Sequence, residues 1–101
     1  MDPNFIKLFD EKMIKIGAEA ANTEEAIRLV GAMMTREGFV EEAYTEDVFK
    51  REQSFPTGLP TEPIAIAIPH ADPERVIKSG IGIAVFKQPV KFRIMGSNEE
   101  D

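Results

Sequence analysis

The chain has 101 residues, 18 acidic against 12 basic side chains for a formal charge of −6, and no cysteine. Its length fits one domain able to bury about 60 to 65% of its unfolded surface, while the lack of cysteine excludes a disulfide framework, thiol chemistry and cysteine metal sites. The acidic balance, with no long Lys/Arg run, excludes a general nucleic-acid backbone reader.

In chain order, residues 1–12 mix Asp2, Lys7, Asp10 and Glu11 with apolar side chains, unlike the apolar region of a signal peptide. The longest uncharged apolar stretches fall well short of the roughly 20 residues of a spanning helix, so a soluble, cytoplasmic domain is expected. Residues 13–18 place Ile14 and Ile16 on one face with Lys15 opposite, the period of a short strand. Asn22 with Glu25 reads as a capping box. Ala26, Ile27, Val30, Met33 and Met34 then repeat at helical spacing until Arg36 and Gly38. A second helix is predicted from about Thr45, capped by its hydroxyl, with Glu46 and Asp47 at the positive end of the dipole and a stop before Pro56.

Pro56, Gly58, Pro60 and Pro63 exclude a regular element and predict a shaped loop feeding a strand over the apolar run 64–68. Ile81, Ile83 and Val85 alternate with smaller or aromatic residues. After Lys87-Gln88-Pro89, Val90, Phe92 and Ile94 alternate with Lys91, Arg93 and Met95, which predicts two strands joined by a tight turn. The tail at 97–101 carries no structural signal. The order strand, helix, helix and three strands predicts an α/β domain: a mixed sheet with helices packed on both faces and a central strand at 64–68 covered on both sides.

The only histidine, His70, follows Pro69 at the end of that run. Proline cannot continue a ladder, so the strand should end there and project the ring beyond the sheet edge, where α/β sheets place ligands. A neutral imidazole, with an ordinary pKa of about 6.5, is a nucleophile that needs no separate base and suits phosphoryl transfer. The alternative is a hydrogen-bonded structural histidine. Phosphoryl transfer asks for positive charge on the equatorial oxygens, and Arg51, with its planar fork, is the candidate; a surface pair with Asp47 or Glu52 is its alternative. Glu74 is a candidate to hydrogen-bond one ring nitrogen and present the other, or else an exposed partner of Arg75 or Lys78. Thr57 and Gly58 offer a hydroxyl and backbone N–H groups to the phosphoryl group, or simply form a turn. A single histidine excludes a multi-histidine metal centre. No Gly-rich nucleotide loop or G-x-S-x-G elbow occurs, so ATP as donor and acyl transfer lack support. No metal and no cofactor are expected.

The segment Arg51-Glu52-Gln53-Ser54-Phe55-Pro56-Thr57-Gly58-Leu59, followed by Ala65-Ile66-Ala67-Ile68-Pro69-His70, resembles the fructose/mannitol-type enzyme IIA domain of the bacterial phosphoenolpyruvate-dependent sugar phosphotransferase system, with the galactitol-specific branch the nearest. The resemblance spans the chain. It implies that His70 accepts a phosphoryl group from HPr and passes it to an enzyme IIB domain, before a membrane IIC component delivers it to incoming sugar. It also implies that Arg51 is the active-site arginine and Glu74 an acidic residue near the histidine. Family domains continue past the position of Asp101, many with a second active-site histidine there. The resemblance therefore implies one enzyme IIA-like domain over 1–101 that lacks the family's C-terminal portion. A regulatory module of the same fold, whose phosphorylation controls partner binding without onward transfer, is the alternative.

Overall fold

The computed structural model describes residues 9–62 and 64–96, so the acidic tail lies outside the described residues. The first strand, β1 (Phe9–Ala18), begins earlier than its alternation indicated, and pairs in parallel with β4 (Ile81–Phe86), Ile14 opposite Ile83 and Ile16 opposite Val85. Ile14 and Ile16 do share a face, but the buried cluster forms on the opposite one, where Met13 is fully buried with Phe39 and Val40.

Helix α1 (Thr23–Arg36) starts where its cap signal lies: the Asn22 side chain accepts from the Glu25 N–H at 2.9 Å. The Glu25 carboxylate reaches back one residue further than a standard box, accepting from Ala21 N at 2.9 Å. Gly38, at φ +80°, takes the left-handed turn past the helix end. Buried Ala26, Ile27 and Met33 form its inner face. The helix crosses β4 so closely that a Cβ on Gly82 would lie 2.8 Å from Val30 Cγ1.

Helix α2 (Ala43–Ser54) begins two residues before Thr45, and its N-cap, Glu42, makes no side-chain cap bond. The predicted capping role of Thr45 is therefore wrong. Its side chain packs on Gly31 of α1, where a Cβ would overlap Thr45 Oγ1 and stand 2.7 Å from Cγ2. Outside this contact, Arg28 joins the helices by hydrogen bonds of 2.9 Å to both Glu24 and Glu46. The bond to Glu46, then that to Glu24, holds the Arg28 guanidinium above its ordinary pKa.

Two further expectations need correction. The run 64–68 forms only β3 (Ile66–Ala67), antiparallel to β2 (Gly58–Leu59). Pro60 follows β2 directly and has no N–H to extend the ladder. Far from being covered on both faces, Ile64, Ile66 and Ile68 are 71%, 50% and 48% exposed. Likewise, residues 90–95 do not fold back on β4, because Lys87-Gln88-Pro89 offers no residue suited to a tight hairpin turn. Ile94 instead bridges in parallel to Gly58, with Gly58 N donating to Arg93 O at 3.0 Å and Met95 N to Gly58 O at 2.8 Å. The α/β class with mixed pairing holds: one parallel pair, one antiparallel pair and two helices among the described residues. No helix among them is long and apolar enough to cross a membrane.

Gly31→Ala tests the helix contact. The substitution gains up to about 1 kcal/mol of helix propensity but overpacks Thr45, at a cost of about 1–3 kcal/mol. Urea unfolding should show net destabilisation, partly recovered by adding Thr45→Ala; a stabilised Gly31→Ala would contradict the packing described.

Candidate functional site

The 3₁₀ turn at Pro73–Arg75 follows His70 and is held against one face of α2. Tyr44, Asp47 and Arg51 are spaced three and four residues apart, so they project on one side of that helix. Each meets the segment after His70: Ala71 N donates to Tyr44 Oη at 3.3 Å, Arg75 Nε to Asp47 Oδ2 at 2.8 Å, and Arg51 Nη1 lies 3.9 Å from Asp72 Oδ1. The backbone adds a bond from Glu41 N to Arg75 O at 2.9 Å.

His70 itself is exposed, and its Nδ1 lies 2.8 Å from the Ile68 carbonyl oxygen. A carbonyl only accepts, so Nδ1 carries the proton, and in the neutral ring the lone pair stands on Nε2. The ring hydrogen bond expected from Glu74 is made by the Ile68 carbonyl. Glu74 instead lines an open cavity with Lys50, Arg51, Asp72 and Arg75, beside Ala71.

Arg51 does not pair with Asp47 or Glu52, because Asp47 is engaged by Arg75 and Glu52 by Thr57. Its guanidinium carbon stands 5.3 Å over the Phe55 ring, its ion pair with Asp72 is long, and its Nε is buried with no hydrogen-bond partner among the described residues. A guanidinium's planar fork of donors matches the oxygens of a carboxylate or phosphate.

The donors of Thr57 and Gly58, expected to face a phosphoryl group, are engaged within the fold. Thr57 is buried, with its N–H on Glu52 Oε2 and its hydroxyl on Glu52 Oε1, both at 2.8 Å. The Gly58 N–H is on Arg93 O. Their work is structural: Thr57 Oγ1 accepts the Ile68 N–H at 3.1 Å, and a Cβ at Gly58 would stand 2.6 Å from Arg93 O, so only glycine allows the chain at 93–95 to dock.

Sequence reasoning missed Glu52, which is 4% exposed. A usable signal existed, since Glu52 lies four residues after Val48, the other buried residue of α2, and so falls on the same inward face. Among the described residues no cluster could hold a metal ion.

A family model described as "Phosphoenolpyruvate-dependent sugar phosphotransferase system, EIIA 2" matches residues 7–101. The chain is 37% identical over 88 residues to the mannitol-specific phosphotransferase enzyme IIA component of Halalkalibacterium halodurans, covering 84% of this chain and 59% of that protein. It is 35% identical over 102 residues to the mannitol-specific EIICBA component of Pasteurella multocida, covering 98% of this chain and 15% of that one. The Escherichia coli structure of enzyme IIAMTL in complex with phosphorylated enzyme IIBMTL superposes with a TM-score of 0.74 at 34% identity, covering 84% of this chain and 60% of that chain. The chain thus spans about three fifths of the single-component relative. These relatives bear out the fructose/mannitol type, and their names carry mannitol rather than galactitol.

Glu52→Ala should lower the unfolding free energy by about 2–3 kcal/mol, because it strands the buried Thr57 donors. Denaturant unfolding at neutral pH checks this, and a change within about 0.5 kcal/mol would contradict the network.

Proposed function

The chain belongs to the EIIA 2 family of the phosphoenolpyruvate-dependent sugar phosphotransferase system, and on that premise we propose that it carries a phosphoryl group on His70 Nε2. The observation that carries the proposal is the ring's hydrogen bond to Ile68 O, which makes Nδ1 the donor and Nε2 the exposed nucleophile. A phosphohistidine of HPr is the donor and an enzyme IIB domain the acceptor, in the cytoplasm, during uptake of a sugar or sugar alcohol through a membrane IIC component. The relatives' names favour mannitol.

In the forward step the Nε2 lone pair attacks phosphorus in line. A new N–P bond forms as the donor's N–P bond breaks, and that bond's electron pair returns to the donor imidazole. No proton leaves Nε2, since it holds none, and Nδ1–H stays on the Ile68 carbonyl. Transfer to IIB runs the same exchange outward. The equatorial oxygens carry the charge of a loose transition state, and Arg51 is the cation assigned to them; its stacking on Phe55 and its loose tie to Asp72, two residues after His70, support that reading. Glu74, Thr57 and Gly58 take no direct part.

Incubation with phosphoenolpyruvate, enzyme I and HPr should add one acid-labile phosphoryl group by intact mass, absent from His70→Ala. The labelled chain should then pass it to a IIB domain; a label retained in the presence of IIB would favour a regulatory module, and no addition to a folded chain would overturn the proposal. Arg51→Lys keeps the charge but loses the fork, and should slow transfer about tenfold, a loss of about 1.4 kcal/mol in transition-state stabilisation. Transfer at the parent rate would remove Arg51 from the mechanism.

A further inference from the structure

We propose that the buried pair Glu52–Thr57 is a positioning device that sets the tautomer of His70 from beneath. Four hydrogen bonds run in sequence. Glu52 accepts from both the N–H and the hydroxyl of Thr57 at 2.8 Å, Thr57 Oγ1 accepts the Ile68 N–H at 3.1 Å, and the Ile68 carbonyl accepts His70 Nδ1–H at 2.8 Å.

Each link has a definite direction. A carboxylate only accepts, so Glu52 takes the Thr57 hydroxyl proton and leaves the oxygen's lone pairs facing the Ile68 N–H. Ile68 precedes Pro69, which confines it to extended backbone, and the Pro69 ring confines its own φ. With the Ile68 N–H anchored, these restrictions leave its carbonyl little choice of direction, and the ring two residues on must donate to it. Ile68 is 48% exposed, so side-chain burial does not hold this backbone in place. The Thr57 bond is its anchor.

A histidine released into water favours the Nε2–H form, which has no lone pair on Nε2. The consequence for phosphoryl transfer rests on the carrier reading above, but the tautomer does not. It can be read without any donor, and His70 is the chain's only histidine, so its ring resonances need no sorting.

Long-range ¹H–¹⁵N spectra of the full chain above the ring's titration should show a dominant Nδ1–H form. Thr57→Val, matched in shape but without the hydroxyl, should shift the ring toward Nε2–H and slow phosphoryl uptake severalfold; Thr57→Ser should restore both. Glu52→Gln should shift the ring in the same sense, because an amide donor displaces the Thr57 hydroxyl proton from its acceptor. A ring unchanged in folded Thr57→Val would overturn the device. A parent ring in the Nδ1–H form that takes up no phosphoryl group would overturn the carrier reading alone. One measurement needs no variant: the Ile68 amide of the parent should exchange with solvent slowly, and exchange at the unprotected rate would equally overturn the proposal.

Discussion

A carboxylate buried in the last turn of α2 organises the loop that follows the helix. Glu52 sits where the helix dipole disfavours negative charge, and burial of an ionised group costs several kcal/mol unless donors meet it. Thr57 supplies two donors from one residue. Arg93 closes the same helix end, its guanidinium donating to the Glu52 and Gln53 carbonyls. The loop leaving α2 therefore turns back tightly under its own helix. That places Gly58 where 93–95 can dock and Thr57 where Ile68 can be anchored.

The exposed ion pairs around α2 do a different job. The side chains of the Arg75–Asp47 and Arg51–Asp72 pairs are all more than a third exposed, so each pair adds at most about 1 kcal/mol. Their value is geometric, because Tyr44, Asp47 and Arg51 present one helix face to the turn after His70 and keep a guanidinium beside it. His70 is thus held through the Ile68 backbone, while Arg51 reaches the segment after it from the helix. Neither depends on the exposed apolar side chains of β3.

Legibility in the sequence follows how local each signal is. The α1 cap, its apolar spacing and its glycine exit involve residues within a turn of one another and are found where they were expected. The Thr45 cap fails because Gly31, distant in sequence, leaves a recess that its side chain fills. The strand at 64–68 and the hairpin at 81–95 fail for a related reason. Apolar alternation marks segments able to pair, whereas Pro60 and the Gly58 contact with Arg93 decide which of them do and for how long. At the site, the residue types of His70 and Arg51 and their place in the sequence are what single them out as candidates. For Thr57, Gly58 and Glu74 the residue type leaves the role open, because the same atoms serve either a ligand or the fold and only the partners decide. Glu52 was overlooked because a glutamate beside an arginine on a helix reads as solvated surface, although its spacing from Val48 placed it inward.

The central claim is that His70 reacts through Nε2 because Nδ1 is tied to the Ile68 carbonyl. The most direct test is to locate phosphorus on the ring of ¹⁵N-labelled protein by ³¹P–¹⁵N coupling after phosphorylation from HPr. Coupling to Nε2, with Nδ1 still protonated, is the predicted result; coupling to Nδ1 would mean that the Ile68 bond is broken in the reacting state and would contradict the account.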